Sequence, residues 1–541
     1  MKPCNKRLPA LLVIAVVAVS LVGVASAQPR IVQVAPTAFG ILNDTIAADT
    51  TATGERVDSS TVYELERGAD AYYTLNGTIE HSGYHLTIVA EDGDGPRPKL
   101  VPGIISGGEA SRCFRARGDL TLKGLYLTDV DQEGSIFSDK NIVRASGEGT
   151  RIVIDDCHFN GDHQSFIRLD SHHQSYYITN STFSWSVDNG RGFDRRGNIT
   201  DTLVVENCTF YNIISKVMRE GGSGYVKYMK WDHCTFYNVG EEFMEFEQVG
   251  ELIFTNNLVV NTGFLGECAF YEDPVAPLME GIVPVVHEEL DSLLTLEGKT
   301  QTIEFRNNNF YLDPAIVAAH AALTIGDSLV NAGGVVQRAV FDSLGLTLVD
   351  TSTMTREAIT FTDAPILDTT LSIIKTVWEE YAGESDYQSP FDHGGVGGYG
   401  ETGFGTMPFD FTYPTTTASY TAGDGNTPLG DLNWFPEFLA VEGREELVPE
   451  GFTLSQNYPN PFNPATMIRY ELPHAADVEL MVYNLLGKEV VRLKSGHQGA
   501  GSYEVQWDGH DASGNLLSSG VYFYRLKAEG FTQTRKMLFL R

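Results

Sequence analysis

The stretch LVVENCTF, residues 203–210, decides the fold because its pattern recurs along the chain. Earlier versions are LTLKGLY (120–126), IVIDDCHF (152–159) and YYITNSTF (176–183). Later ones are MKWDHCTF (229–236), LIFTNNLV (252–259) and IEFRNNNF (303–310). Each opens with the apolar alternation of a strand that buries one face, breaks at a polar residue, and closes on an aromatic or apolar one. The closing residues Tyr126, Phe159, Phe183, Phe210, Phe236, Val259 and Phe310 lie 33, 24, 27, 26, 23 and 51 residues apart, the last interval being about two coils. A period of this length is the signature of a solenoid.

In a parallel coil, equivalent positions stack at roughly 4.8 Å per rung. Asn180, Asn207, Asn256 and Asn307 then form a ladder at a tight turn, where asparagine tolerates left-handed backbone and its amide bonds its neighbours. Cys157, Ser181, Cys208, Cys234, Asn257 and Asn308 form the adjacent column. Thiols that point the same way are poorly aimed for a disulfide, so these cysteines read as small buried hydrophobes.

The pattern resembles the pectate-lyase-like right-handed parallel β-helix superfamily over about residues 60–440. The resemblance implies an all-β chain whose main body is a parallel β-helix solenoid. It leaves the activity open, since lyases, hydrolases, adhesins and tailspikes share the architecture.

Ahead of the repeats, Lys2, Lys6 and Arg7 precede an apolar run and the small residues Ala25-Ser26-Ala27, which reads as a secretory signal over 1–27. No later stretch is long and apolar enough for a transmembrane helix. Loss of the signal takes three positive charges from a formal net charge of −33, and so acidic a chain repels nucleic acid. Residues 28–60 carry a capping helix near 42–49, and 61–440 form the solenoid with irregular or helical insertions after 313. Asp386 to Pro436 is expected to run back along it. Within that stretch, Gly398 to Gly403 spells GxGxxG, but without the flanking strand and helix of a nucleotide site.

A linker at 441–456 leads to a compact β pattern at 457–541, a small Ig-like sandwich of about seven strands. This module resembles the type A sorting domain of type IX secretion in Bacteroidota-like bacteria. The matching residues are 457–464 (NYPNPFNP), 483–488 (YNLLGK), 520–524 (GVYFY) and 536–541 (KMLFLR). The resemblance implies type IX secretion machinery as a partner and a destination outside the cell, secreted or on the outer surface.

Chemistry is expected on the strand after each aromatic: FIRLD (166–170), FDRRG (193–197), VMREG (217–221) and FMEFE (243–247). Alternation turns Arg168, Arg219 and Glu245 outward in one column, joined by Arg195 if the longer preceding loop is absorbed before its strand. Two readings stand. In one, Arg168, Arg195 and Arg219 pair with Asp170, Glu220, Glu245 and Glu247 as a surface ion ladder. In the other, the column is the floor of a polysaccharide groove: arginine forks hold sugar carboxylates, while Phe166, Phe193, Tyr225 or Trp185 stack on sugar rings.

Lytic cleavage would need a base, from Lys216, Lys227, His172 or a perturbed Arg168, Arg195 or Arg219. Hydrolysis would need two spaced carboxylates from Asp170, Asp194, Glu220, Glu245 and Glu247. No metal-site signature is present. Asp92-Gly-Asp-Gly95 is only a fragment of a calcium loop, so calcium remains open and no other cofactor is indicated.

Overall fold

The computed structural model describes residues 29–51, 56–58, 61–69, 71–93, 95–103, 112–129, 141–162, 164–186, 190–222, 224–240, 244, 248–263, 301–322, 324–325, 328–329, 352–365, 371, 409–439, 452–454, 457, 462, 466–472, 476–485, 487–498, 501–511, 516–528 and 531–539. The signal segment, Glu245, Cys268 and the GxGxxG stretch lie outside them.

The repeats wind into three parallel sheets. Sheet I has six strands, from Ile79–Ser82 to Met218–Gly221; sheet II has ten, from Arg30–Val34 to Thr302–Arg306; sheet III has nine, from Tyr72–Leu75 to Asn309–Tyr311. A coil with all three strands visits sheet I, then II, then III, as Ile167–Leu169, Gln174–Thr179 and Thr182–Ser186 do. The body is a parallel β-helix.

The turn between sheets II and III explains the conserved spacing inside each repeat unit. Gly124, Asp156, Asn180, Asn207, His233, Asn256 and Asn307 all hold positive φ there, between 49° and 71°. Asn256 donates through Nδ2 to Asp232 Oδ1 at 2.8 Å, and Asn180 does the same to Asp155 Oδ1 at 2.6 Å. The adjacent column also stacks: Cys157 N donates to Ser181 Oγ, Cys234 N to Asn257 Oδ1, and Asn257 N to Asn308 Oδ1. Cys113, Cys157, Cys208 and Cys234 are buried free thiols.

A second left-handed column, Gly161, Trp185, Asn212, Asn238 and Asn261, runs through sheet III. The sequence reading missed it, although the recurring YN of 211–212 and 237–238 is its trace.

Inside, the closing aromatics form a continuous stack. Ring centroids of Phe159, Phe183, Phe210 and Phe236 succeed one another at 4.9, 4.7 and 5.2 Å. At the N-terminal end, helix α1 (Ile41–Ala48) buries Leu42 and Ile46, and Asp49 beyond it pairs with Arg30 at 2.6 Å. A second helix, α2, spans Pro314–Ala322.

Residues 409–439 lie back across earlier rungs and cover the outer face of sheet III. Phe411, Tyr413, Leu429 and Phe435 pack there with Tyr211, Tyr237 and Leu258. Thr209 Oγ1 donates to Asp431 Oδ2 at 2.7 Å, and Asp431 N donates to Thr235 Oγ1 at 2.9 Å. Gly430 (φ +87°) permits this approach, since a Cβ on it would stand 2.5 Å from Thr235 Oγ1.

The C-terminal strands form two antiparallel sheets, consistent with an Ig-like sandwich. One contains Thr453–Leu454, Thr466–Leu472 and Gly501–Trp507; the other Ala476–Tyr483, Glu489–Gln498, Gly520–Ala528 and Phe531–Phe539. Ile468, Tyr470, Leu480, Trp507, Tyr524 and Phe539 fill the space between them.

Candidate functional site

Sheet I carries the residues singled out for chemistry. Its strand register pairs Glu80 with Arg115, Arg115 with Arg144, Arg144 with Arg168, Arg168 with Asp194, and Asp194 with Arg219. Arg168 and Arg219 therefore share one outward column, with Arg115 and Arg144 extending it. The sequence reading overlooked those two, although FRAR (114–117) and VRA (143–145) repeat the apolar-Arg-apolar pattern of IRL (167–169).

Arg195 does not join this column. Phe193 sits on the rung position of Ile167, and its ring packs against Phe183 at 5.6 Å and Trp231 at 5.7 Å, which fixes it inward. Asp194 then occupies the outward position, and Arg195 falls into line with Leu169, inside. Arg195 is fully buried; it donates to Asn198 O at 2.9 Å and to Gln248 Oε1 at 2.5 Å. Phe166 and Phe193 are also fully buried in the aromatic interior, so neither offers a face to a sugar ring. Trp185 and Tyr225 are buried as well, as is Lys216. The register places Glu220 beside Arg195, and Glu245, Phe243 and Glu247 lie outside the described residues.

The charges on this face are partly matched. Arg144 Nε donates to Asp170 Oδ2 at 2.6 Å, and Arg168 Nε to the other oxygen of that carboxylate at 3.2 Å. Glu80 stands 3.7 Å from both Arg115 and Arg117. Arg196 Nε donates to Asp194 Oδ2 at 2.7 Å, while Asp194 Oδ1 is buried without a hydrogen-bond partner among the described residues. Side chains of Arg115, Arg144 and Arg168 keep 33, 25 and 21% of their surface, so the column is partly exposed.

The other candidates lie on sheet II or its turns. Lys227 pairs with Asp201 at 2.9 Å, and His172 Nδ1 accepts from Ile199 N at 3.1 Å. Lys230 bridges Glu206 at 2.5 Å and Asp232 at 3.3 Å; burial raises the Glu206 carboxyl above its ordinary range. Among the described residues no three His, Cys, Asp or Glu gather as metal ligands, and Asp94 of the calcium-loop fragment is not described. Among them, too, no helix is long and apolar enough to cross a membrane.

The sandwich is the part with a family counterpart. Residues 463–531 match the FlgD Ig-like domain. Among solved structures, a chain of PorZ, an essential surface component of the type-IX secretion system of Porphyromonas gingivalis, matches at 20% identity. That match covers 17% of this chain and 12% of the PorZ chain, with a TM-score of 0.13. No curated protein matches the chain.

Proposed function

We propose that the solenoid binds acidic extracellular polysaccharide along the outward arginine column of sheet I, and that the C-terminal sandwich serves its export by type IX secretion. The observation that carries the binding reading is Arg115, Arg144 and Arg168 on three consecutive rungs. They stand roughly 4.8 Å apart along the solenoid axis, a spacing that suits one anionic group per sugar of a linear chain laid parallel to that axis. In a chain with formal net charge −33, such a run of cations on one partly exposed strand row is a local reversal of the overall field.

Guanidinium groups hold their protons, so the column favours binding over proton abstraction, and lyase-like cleavage would draw its base from elsewhere. The sharing of Asp170 by Arg144 and Arg168 favours a second reading, a non-catalytic adhesive or spacer protein whose column is a structural ion ladder.

Affinity electrophoresis of the purified full chain through gels containing polygalacturonate, alginate or a sulfated polysaccharide separates the two. The binding reading expects retardation that weakens with salt and falls by about tenfold in affinity in Arg168→Gln, the loss of one bidentate contact. Unretarded migration in every acidic polymer leaves the spacer reading. Appearance of unsaturated ends by ultraviolet absorbance, on incubation with the uronate polymers, would add cleavage to binding.

A further inference from the structure

The turn that carries the chain from sheet I to sheet II beside the arginine column holds two adjacent imidazoles in fixed and opposite states. It runs from Asp170, which accepts from both Arg144 and Arg168, through Ser171, His172 and His173 to Gln174, the first residue of a sheet II strand. Three residues of chain place His173 within about 11 Å of Asp170. His172 Nδ1 accepts from the backbone N–H of Ile199 at 3.1 Å, so the ring proton sits on Nε2 and His172 presents a donor. His173 Nδ1 lies 3.1 Å from Asp201 Oδ1; a carboxylate only accepts, so Nδ1 carries the proton and Nε2 presents a lone pair. The two ring centroids stand 6.2 Å apart, and the His173 side chain keeps 40% of its surface.

Asp201 owes its place to a bulge. Gln174 pairs with Thr200 and Ser175 with Thr202, so Asp201 is the extra residue between them, and its side chain reaches the turn. It also holds Lys227 Nζ at 2.9 Å. A carboxylate that fixes one nitrogen of an exposed imidazole and leaves the other with a lone pair is the arrangement of a general base and its positioning residue. The geometry points to His173 as the base of a β-elimination on a uronate chain, with Asp201 as its positioning residue and His172 as a hydrogen-bond donor to the bound sugar. This inference rests on the proposed function and adds a reaction to it. The step balances within one imidazole. His173 Nε2 takes the proton from the carbon beside the uronate carboxylate, whose growing charge the Arg168 guanidinium meets. The electron pair left behind forms a double bond to the neighbouring carbon, the glycosidic bond on that carbon breaks, and the imidazolium returns its proton to the leaving oxygen. One chain end is left unsaturated, the other is a hydroxyl, and no further reactant is consumed.

The test uses the full chain on polygalacturonate and alginate, following ultraviolet absorbance from unsaturated ends and, separately, retardation in gels of the same polymers. The wild type is expected to generate such ends. His173→Asn, chosen because asparagine tolerates the left-handed backbone that His173 holds at φ 59°, should lower kcat about a hundredfold or more, with KM little changed. Asp201→Asn should lower kcat and move the acid limb of the pH–rate profile to lower pH, because the imidazolium loses its carboxylate; a purely structural role leaves that limb in place. Unchanged melting temperatures establish that both variants fold. Retardation without unsaturated ends from either polymer overturns the base and leaves acidic-glycan binding standing. Cleavage by His173→Asn at the wild-type rate overturns the assignment as well. Absence of both retardation and cleavage removes the proposed function and this inference together.

Discussion

His158 shows how one residue ties the solenoid to acidity. It is buried, its Nε2 lies 2.8 Å from Ser184 Oγ, and the Tyr126 ring meets it edge-on at 4.9 Å. Burial, with help from the Arg97 charge, pushes its pKa down to about 3, and burial pushes His81 down to about 4. Both imidazoles are therefore neutral in the fold, while the unfolded chain takes up protons below about pH 6.5. Between that pH and the folded values the unfolded state binds more protons, so stability is lost as pH falls through this window. Denaturant melts at pH 7, 6, 5 and 4 should show a progressive fall in midpoint. His158→Gln, which keeps an amide for Ser184 but cannot titrate, should flatten that fall. A variant whose melts track the wild type at every pH would contradict the assignment.

At the scale of the element, what stacks along the axis matters more than any strand alone. Phe210 is sandwiched between Phe183 and Phe236 and touches Trp231 at 5.8 Å. Phe210→Ala should cost about 3–5 kcal/mol in chemical denaturation, the usual cost of an aromatic cavity in a close-packed interior. A loss below about 1 kcal/mol would mean the rungs on either side collapse into the gap.

This stack also explains how much was legible beforehand. Period, aromatic column and asparagine ladder are written in side-chain type, and each follows from the stacking of like on like. Register within sheet I is not. FDRRG aligns with FIRLD by its first letter, yet the interior accepts Phe193 where Ile167 sits, and that single-residue shift turns Asp194 out and Arg195 in. Arg144 went unseen because its strand, VRA, carries no aromatic marker, and Arg115 because that gap separates FRAR from the later units. The residues that cover sheet III come from 352–365 and 409–439, 45 to 226 positions along the chain from the rungs they hydrogen-bond to, and only the second of them falls in the stretch, Asp386 to Pro436, expected to run back along the solenoid.

Taken whole, the molecule has one solenoid face, that of sheet III, which a later part of its own chain closes. The closure depends on Phe411, Tyr413, Leu429 and Phe435 lying over Tyr211, Tyr237 and Leu258. A chain ended at residue 440 keeps that cover; one ended at 408 uncovers a contiguous apolar patch on sheet III. The shorter chain should bind a hydrophobic dye strongly and aggregate, while the longer one stays monodisperse in size-exclusion chromatography. Equal dye binding by the two would show that residues 409–439 are dispensable to the solenoid.

Because Phe183 opposes Phe210 in the same way that Phe210 opposes Phe236, the coil between them is interchangeable with its neighbours. Excising residues 184–210 would bring Phe183 directly under Phe236 in the aromatic stack. Length in such a protein is thus an adjustable quantity, open to duplication or loss of whole units, at the expense of the contacts that the lost coil makes outside the stack, such as Thr209 with Asp431 and Arg195 with Gln248.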